Sequence, residues 1–380
     1  MARLLHAMGD VHPHALKAQL ARRLSAITFE RWAAANASSQ GTANKRVSRA
    51  ATRTTTGKVI FANSGFEAVE AALKTALLAT GKKGVIAFEG AYHGLGYGAL
   101  NATHREHFRA PFQSQLGQFG HFVPFPTSGS RPARGSLQNV EASLRRTFRQ
   151  NDIGAVLVEP VQARGGINIP PPDFLPLLRE LCNEKGALLI CDEIYTGFGR
   201  TGKWFACEHS STVPDLVCLG KALTGGFPLS ACVGRAGLMD AAWPPSTGEA
   251  IHTSTFLGHP VGCAMALAQI DEIERLNLPA QAAELGKFLL AELREIQLPT
   301  ALVAAPRGLG LMAGLELTSA GGKPATKLAL NTIKTLLHRG YIFLPEGADA
   351  NVISFTPPLI ISRPQLARSV AALGEVLRGE

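Results

Sequence analysis

Two ionisable side chains, a lysine and an aspartate, each follow an apolar stretch of the sequence. Asp192 comes directly after the all-apolar run 187–191, and Lys221 follows the run 215–219 and one glycine. A lysine at the end of a buried strand is costly unless it is paired or neutral, and lysines in such places form Schiff bases. Because about one strand–helix–strand unit separates the two residues, we expect them to hold opposite sides of one small ring.

Other polar residues also stand where apolar runs end. They are the segments 63–65 and 89–92 and the single residue Glu159. Ligands gather at the carboxyl ends of parallel strands, so these residues are candidates for one site. Gly65 and Phe66 begin a predicted helix, whose free backbone N–H groups suit a phosphate. Taken alone, the segment is better explained by Asn63 or Ser64 as a helix cap.

The elements that must position these residues alternate between short strands and helices. The pattern predicts strands at 58–61, 84–88, 155–158, 187–191 and 215–219, and helices at 12–30, 65–79, 174–184 and 259–276. Short, fully apolar strands between helices indicate an α/β fold with a mostly parallel central sheet covered by helices. The tail mixes helices with short strands such as 311–317, which predicts a smaller C-terminal α+β domain.

We therefore divide the chain into four parts. They are an N-terminal helical segment at 1–30, a low-complexity basic insert at 31–58, a large domain at 59–275 and a small domain at 276–380. The insert is basic and contains no acid, which also permits nucleic-acid binding. Since its basic part, residues 33–58, has no interleaved aromatic residues, we expect a solvated loop instead.

Composition excludes several classes of protein. The 380 residues are 46% hydrophobic and 18% charged, which allows a large core and argues against disorder. No apolar run is long enough to span a membrane, and the first residues do not resemble a secretory signal. The cysteines are scattered without a paired motif, so we predict no metal site and no disulfide framework. A cytoplasmic protein with no nucleic-acid or membrane partner is the expectation.

Six segments resemble, in order, the motifs of one enzyme family. They are residues 63–70, 88–94, 158–162, 192–202, 219–228 and 254–260. Together they are similar to the class III, or omega-type, aminotransferases, which are fold-type I enzymes dependent on pyridoxal 5′-phosphate (PLP). The resemblance covers nearly the whole chain from about Leu5, apart from 31–58.

The resemblance implies a role for each matching residue. Lys221 is expected to form the Schiff base with PLP and then to move a proton between the substrate carbon and the cofactor. Asp192 is expected to keep the pyridine nitrogen protonated, and Tyr92 to stack on the ring. Glu159 and Gln162 are expected near the ring.

The resemblance also implies where the phosphate binds. Gly65 and Phe66 are expected to donate backbone N–H groups to it, with Ser64 beside them. Thr255 resembles the hydroxyl that reaches the same phosphate from the partner subunit. The implied assembly is therefore a homodimer with shared active sites.

At two positions this chain departs from the family pattern. Family members that act on alpha-amino acids often have an arginine where this chain has Ser354, and a glutamate where it has Arg164. One hypothesis is that Arg164 now binds a substrate carboxylate. The alternative is that Arg164 is a surface residue and the substrate is an amine without that carboxylate. Tyr195 stands where many members have glutamine, so a contact from there to the ring hydroxyl is not expected.

The family also has a longer N-terminal stretch that builds part of the substrate pocket, and this chain is expected to begin after it. The leading prediction is an aminotransferase that moves an amino group from an amino acid or amine to a 2-oxo acid. Two alternatives remain open at this point. One is a racemase or aminomutase of the same class, and the other is a PLP-fold protein with impaired activity.

Overall fold

In the part of the chain that the structure describes, the central sheet of the large domain has seven strands. A computed structural model describes residues 14–39, 56–127, 136–245 and 247–379. The strands are β1 (Gly57–Ala62), β2 (Gly84–Phe88), β3 (Gly120–Val123), β4 (Ile153–Val158), β5 (Leu188–Asp192), β6 (Leu216–Leu219) and β7 (Ser230–Arg235). They lie in the order β1-β7-β6-β5-β4-β2-β3.

Most neighbouring strands of this sheet run parallel. Only β7 is antiparallel, to both β6 and β1. Every residue of β2, β4, β5 and β6 is buried, as expected for parallel strands with both faces covered. The predicted mostly parallel sheet is confirmed.

Helices cover both faces of the sheet. They are α1 (Ala15–Ser25), α2 (Arg31–Ser39), α3 (Gly65–Thr80), α4 (Tyr97–Ala102), α5 (Glu106–Arg109), α6 (Leu137–Gln150), α7 (Phe174–Lys185), α8 (Ala236–Ala242) and α9 (Pro260–Arg275). A π-helical segment, Ala26–Glu30, joins α1 to α2, and short 3-10 turns occur at Ala110–Gln115, Ala206–Ser210 and Lys221–Leu223. Within the described ranges, no helix is long and apolar enough to cross a membrane.

The N-terminal helical region is longer than the sequence pattern predicts. It continues through α2, because Trp32 is buried, donates from its indole nitrogen to Glu208 at 2.9 Å and packs edge-on against Phe205. The tertiary contacts of Trp32 thus stabilise a helix here although the sequence has no apolar periodicity. At the other end of the expected insert, Gly57 and Lys58 already belong to β1. Residues 40–55 lie outside the described residues.

A second sheet forms the smaller domain. Its strands are β8 (Leu302–Leu309), β9 (Met312–Ser319), β10 (Leu344–Glu346) and β11 (Val352–Phe355), antiparallel in the order β10-β11-β9-β8. Helices α10 (Leu278–Arg294), α11 (Thr326–His338) and α12 (Arg363–Arg378) share an apolar core with this sheet. The predicted smaller α+β domain is confirmed, and the strand expected at 311–317 is β9.

Arg200 ties the two domains together. Its Nη1 donates to the carbonyl oxygens of Leu311 at 2.9 Å and Pro357 at 2.6 Å. Burial lowers the pKa of Arg200 to about 10, so it stays charged at neutral pH. Gly310 is in the left-handed region with φ 54°, and an added Cβ would lie 2.4 Å from the carbonyl carbon of Thr201. The loop after β5 therefore contacts the small domain closely.

Glu193 braces the loop that follows β5. Its buried carboxylate accepts backbone N–H groups from Ala206 at 2.9 Å and Cys207 at 2.8 Å, together with the hydroxyl of Thr196. Burial raises the pKa of Glu193 to about 7, from an ordinary value of 4.5. The native state therefore holds this proton more tightly than the unfolded state does.

Glu193→Gln tests this brace through the pH dependence of stability. Ionised Glu193 costs the native protein stability as pH rises from its ordinary pKa to about 7. The free energy of unfolding of the variant, relative to that of the wild type, should therefore rise by about 3 kcal/mol when the pH is raised from about 5 to about 8. Urea unfolding at both pH values measures the change. Glu284→Gln, in an exposed ion pair on α10, is the control and should show no such gain; equal pH profiles for both variants contradict the assignment.

Candidate active site

A cavity of about 610 Å³ opens where the strands of the large sheet end. Its volume is within the range of small-molecule sites, about 300–1,000 Å³. Most of its lining comes from segments directly after β1, β2, β4, β5 and β6. The lining residues include Gly65, Phe66, Tyr92, His93, Glu159, Arg164, Asp192, Tyr195, Lys221 and Leu344.

Lys221 projects into this cavity from a strained position. It follows β6 after one glycine, and its φ of 41° lies in the left-handed region, which costs a non-glycine residue about 1–3 kcal/mol. The residue is accessible through the cavity, yet the surrounding protein partly desolvates its amine. This desolvation lowers the pKa of Lys221, against the raising effect of Asp192 and Glu159. Its Nζ lies 4.8 Å from the ring centroid of Tyr195.

Asp192 ends β5, next to the strand that leads to Lys221. Its Oδ2 lies 2.8 Å from Nδ1 of His93, and its Oδ1 accepts the backbone N–H of Ile194 at 3.1 Å. His93 is itself buried, and its backbone N–H donates to Thr103 at 2.9 Å. Asp192 is thus held in a fixed orientation at the cavity wall.

His93 was missed by the sequence reasoning. The signal was its position, since it directly follows Tyr92 in the segment taken as the ring-stacking motif. Its Nε2 is buried and has no hydrogen-bond partner among the described residues. The ring therefore depends on Asp192 for its polar contact.

Glu159 fixes the segment that carries Tyr92. Its buried carboxylate accepts the backbone N–H of Tyr92 at 2.9 Å and of Ala163 at 3.1 Å. Burial raises the pKa of Glu159 to about 7, with Asp192 adding to the effect. The Tyr92 ring packs edge-on against Phe108 at 5.5 Å.

The N-terminus of α3 also faces the cavity. Gly65 and Phe66 line it, whereas the hydroxyl and backbone N–H of Ser64 bond to the Glu67 carboxylate at 2.8 and 2.7 Å. Ser64 therefore contributes to a capping box, the alternative that the sequence left open. A Cβ at Gly65 would lie 3.0 Å from Ile194, so glycine allows the close packing here.

Arg164 lines the cavity from the loop after β4. Its guanidinium carbon lies 5.6 Å from the ring centroid of Tyr92, and its Nε lies 3.8 Å from Oε2 of Glu346. Ser354 is buried in β11, and its hydroxyl has no partner among the described residues. Glu346 was a second residue that the sequence reasoning missed, because it lies far along the chain in β10.

Two other predicted residues are outside the cavity lining. Thr255 is exposed, in the segment before α9. Gln162 donates from Nε2 to the carbonyl oxygen of Glu89 at 2.8 Å and accepts from Asn168 at 3.1 Å. Gln162 therefore stabilises the loop beneath Tyr92.

Comparison with known proteins identifies relatives of the chain. The sequence model of the family described as Aminotransferase class-III matches residues 5–377. A putrescine aminotransferase of Pectobacterium atrosepticum is 38% identical over 324 residues, which are 84% of this chain and 65% of that protein. An acetylornithine aminotransferase of Methanopyrus kandleri is 39% identical over 321 residues, 84% of this chain and 75% of that protein. The chain thus spans less than two thirds of the first relative's length.

A solved structure shares the fold. A PLP-bound amine transaminase from an uncultivated Pseudomonas species superposes with a TM-score of 0.80 at 28% identity, over 99% of this chain and 83% of that one. The resemblance inferred from the six segments is confirmed, together with the fold class and the PLP dependence that belongs to the family.

His93→Phe tests the contact that holds Asp192. The substitution keeps an aromatic ring but leaves a buried carboxylate oxygen without its partner, which should lower the free energy of unfolding by about 1–3 kcal/mol near pH 8. Urea unfolding measures the loss. His121→Phe, on the edge strand β3 and half-buried, is the control and should cost less; equal losses would show that His93 only fills space.

Proposed function

The chain belongs to the class-III aminotransferases, and we propose that it transfers an amino group from an amine or amino acid donor to a 2-oxo acid. One observation carries the proposal: Lys221 and Asp192 line the same cavity from the ends of the neighbouring strands β6 and β5. The names of the two relatives, which specify putrescine and acetylornithine, support a primary amine as the donor group.

The residues of the cavity fit PLP. An amine, a carboxylate, an aromatic ring and a helix N-terminus line one space of suitable size. The buried Nε2 of His93, which has no partner among the described residues, fits a site that binds a polar group. The glycine at position 65 allows the close packing of such a site. Lys221, Asp192, Tyr92, Gly65 and Phe66 are the residues that would hold the cofactor.

We assign Lys221 as the proton carrier. PLP, when bound, supplies an electron-withdrawing ring that stabilises negative charge on the substrate carbon. A general base works best when its pKa lies near the working pH, and partial desolvation moves the pKa of Lys221 in that direction. With cofactor and substrate bound, its Nζ would take the proton from the substrate carbon and return it to the cofactor. The left-handed φ of Lys221 fixes where this amine enters the cavity.

We assign Asp192 to the nitrogen edge of the ring. His93 fixes the orientation of the Asp192 side chain, so that its oxygens are in place before a ligand binds. Glu159 acts one step removed: it anchors the backbone of Tyr92, whose ring closes one side of the cavity.

We assign Arg164 to the substrate carboxylate. It lines the cavity, its side chain is 38% exposed, and a guanidinium binds carboxylates in a bidentate manner. This supports the first of the two alternatives for Arg164, and a 2-oxo acid with a second carboxylate is the matching acceptor.

We further propose a homodimer with shared sites. Thr255 is exposed, and Ile251 and Phe256 near it expose 63% and 51% of their surfaces. Apolar side chains that are exposed together favour a protein interface. Thr255 would then reach the phosphate site of the partner subunit. The six free, buried cysteines support a reducing compartment such as the cytoplasm.

Lys221→Ala tests the transfer reaction itself. The variant lacks the proton carrier, so transfer from putrescine to 2-oxoglutarate should fall by about a thousandfold. Chromatographic detection of glutamate measures net transfer. Lys287→Ala, an exposed lysine on α10, is the control and should keep full activity. Wild-type protein that interconverts a substrate without producing glutamate would instead indicate a racemase or aminomutase.

Mixed dimers test the shared site. Lys221→Ala and Thr255→Ala are each expected to give impaired homodimers when PLP is limiting. If Thr255 acts across the interface, a mixed dimer contains one doubly altered site and one intact site, so activity returns. If Thr255 acts within its own subunit, each site of the mixed dimer carries one defect, and activity stays low. Activity after co-refolding, with tagged purification of the mixed dimer, decides between the two.

A further inference from the structure

The ion pair between Arg164 and Glu346 is incomplete. Its shortest contact, 3.8 Å from Nε to Oε2, is too long for a hydrogen bond. Both atoms are buried, and neither has a hydrogen-bond partner among the described residues. Buried charges are normally paired and hydrogen-bonded, so this pair is held close without being satisfied.

The two members of the pair differ in their access to the cavity. The side chain of Arg164 is 38% exposed and lines the cavity, whereas that of Glu346 is 1% exposed and is absent from the lining. Glu346 therefore faces Arg164 from behind. A ligand carboxylate that enters the cavity can approach Arg164 without removing Glu346.

Backbone contacts fix this arrangement from both sides. The N–H of Gly347 donates to the carbonyl oxygen of Arg164 at 3.1 Å. Arg307 of β8 donates to the carbonyl oxygens of Gly166 at 2.6 Å and Ile167 at 3.0 Å. The spacing of guanidinium and carboxylate is thus set by the two domains and not by the ion pair itself.

Glu346 also faces several cations. Burial raises its pKa, while Arg164, Arg105 and Lys221 all act to lower it. Arg105 lies close to Glu346, because its Nη2 donates to the carbonyl oxygen of the next residue, Gly347, at 3.3 Å. Removing the charge of Glu346 would leave this end of the cavity strongly positive.

We propose that Glu346 is a specificity-determining residue, which partly cancels the charge of Arg164 from behind. Arg164 then still binds the second carboxylate of a dicarboxylic 2-oxo acid, while the cavity also admits a donor whose distal group is a second ammonium. This inference rests on the proposed aminotransfer and assigns a role to a residue of the small domain. It follows that the same cavity serves both an anionic acceptor and a cationic donor.

Glu346→Gln separates this role from a structural one, because the amide keeps the shape of the side chain and loses only the charge. Near pH 8, the KM for 2-oxoglutarate should fall by about tenfold and the KM for putrescine should rise by about tenfold. The KM for butylamine, which has no distal charge, should stay within about twofold. Arg164→Gln should shift the first two constants in the opposite directions.

A binding measurement keeps the test independent of turnover. Glutarate is a dicarboxylate without a reactive carbonyl, and calorimetry should show tighter binding to Glu346→Gln and weaker binding to Arg164→Gln than to the wild type. Glu375→Gln, which removes an exposed charge from the same domain, is the control and should change nothing. Shifts of 2-oxoglutarate and putrescine in the same direction, or no shift in glutarate affinity, overturn the proposal. A wild type that binds glutarate but transfers no amino group would refute the proposed function alone.

Discussion

Buried carboxylates at the ends of apolar strands are the constraint on which this site depends. An ionised carboxylate away from water is costly unless hydrogen bonds compensate for the lost solvent. Asp192 has His93 and one backbone N–H, and Glu159 and Glu193 each accept two backbone N–H groups. Each of these acids therefore organises the loop that satisfies it. The loops after β2, β4 and β5 take their shape from the backbone hydrogen bonds that these buried carboxyl groups accept.

Lys221, a cation at the end of a buried strand, is also held by the structure around it. The chain leaves β6 and turns immediately, which places a non-glycine residue in the left-handed region. Such strain persists only where the surroundings determine the backbone completely, here by β5 and β7 on either side of β6. The fully buried strands β5 and β6 absorb this cost, and the amine enters the cavity at one defined point. The rigid core thus determines where the Lys221 amine lies in the cavity.

The sequence predicted what short-range patterns encode and missed what depends on tertiary contacts. Apolar runs locate the strands and therefore place Asp192 and Lys221 at neighbouring strand ends. Helix α2 was missed because its anchor is a single tryptophan, Trp32, that packs on a distant loop. Glu346 was missed for a similar reason: nothing near it in the sequence indicates that the backbone of Gly347 meets that of Arg164.

The two domains contribute differently to the cavity. Residues assigned to the cofactor all come from the large domain, on segments that follow its strands. The small domain reaches the cavity through Leu344 and acts on Arg164 through Glu346, while Arg200 and Arg307 bind the two domains together. Substitutions in β10 can therefore change the charge that a substrate meets while leaving Lys221 and Asp192 untouched. Such a division separates the cofactor-holding residues of the large domain from Glu346, which acts on the cavity-lining Arg164 from the small domain.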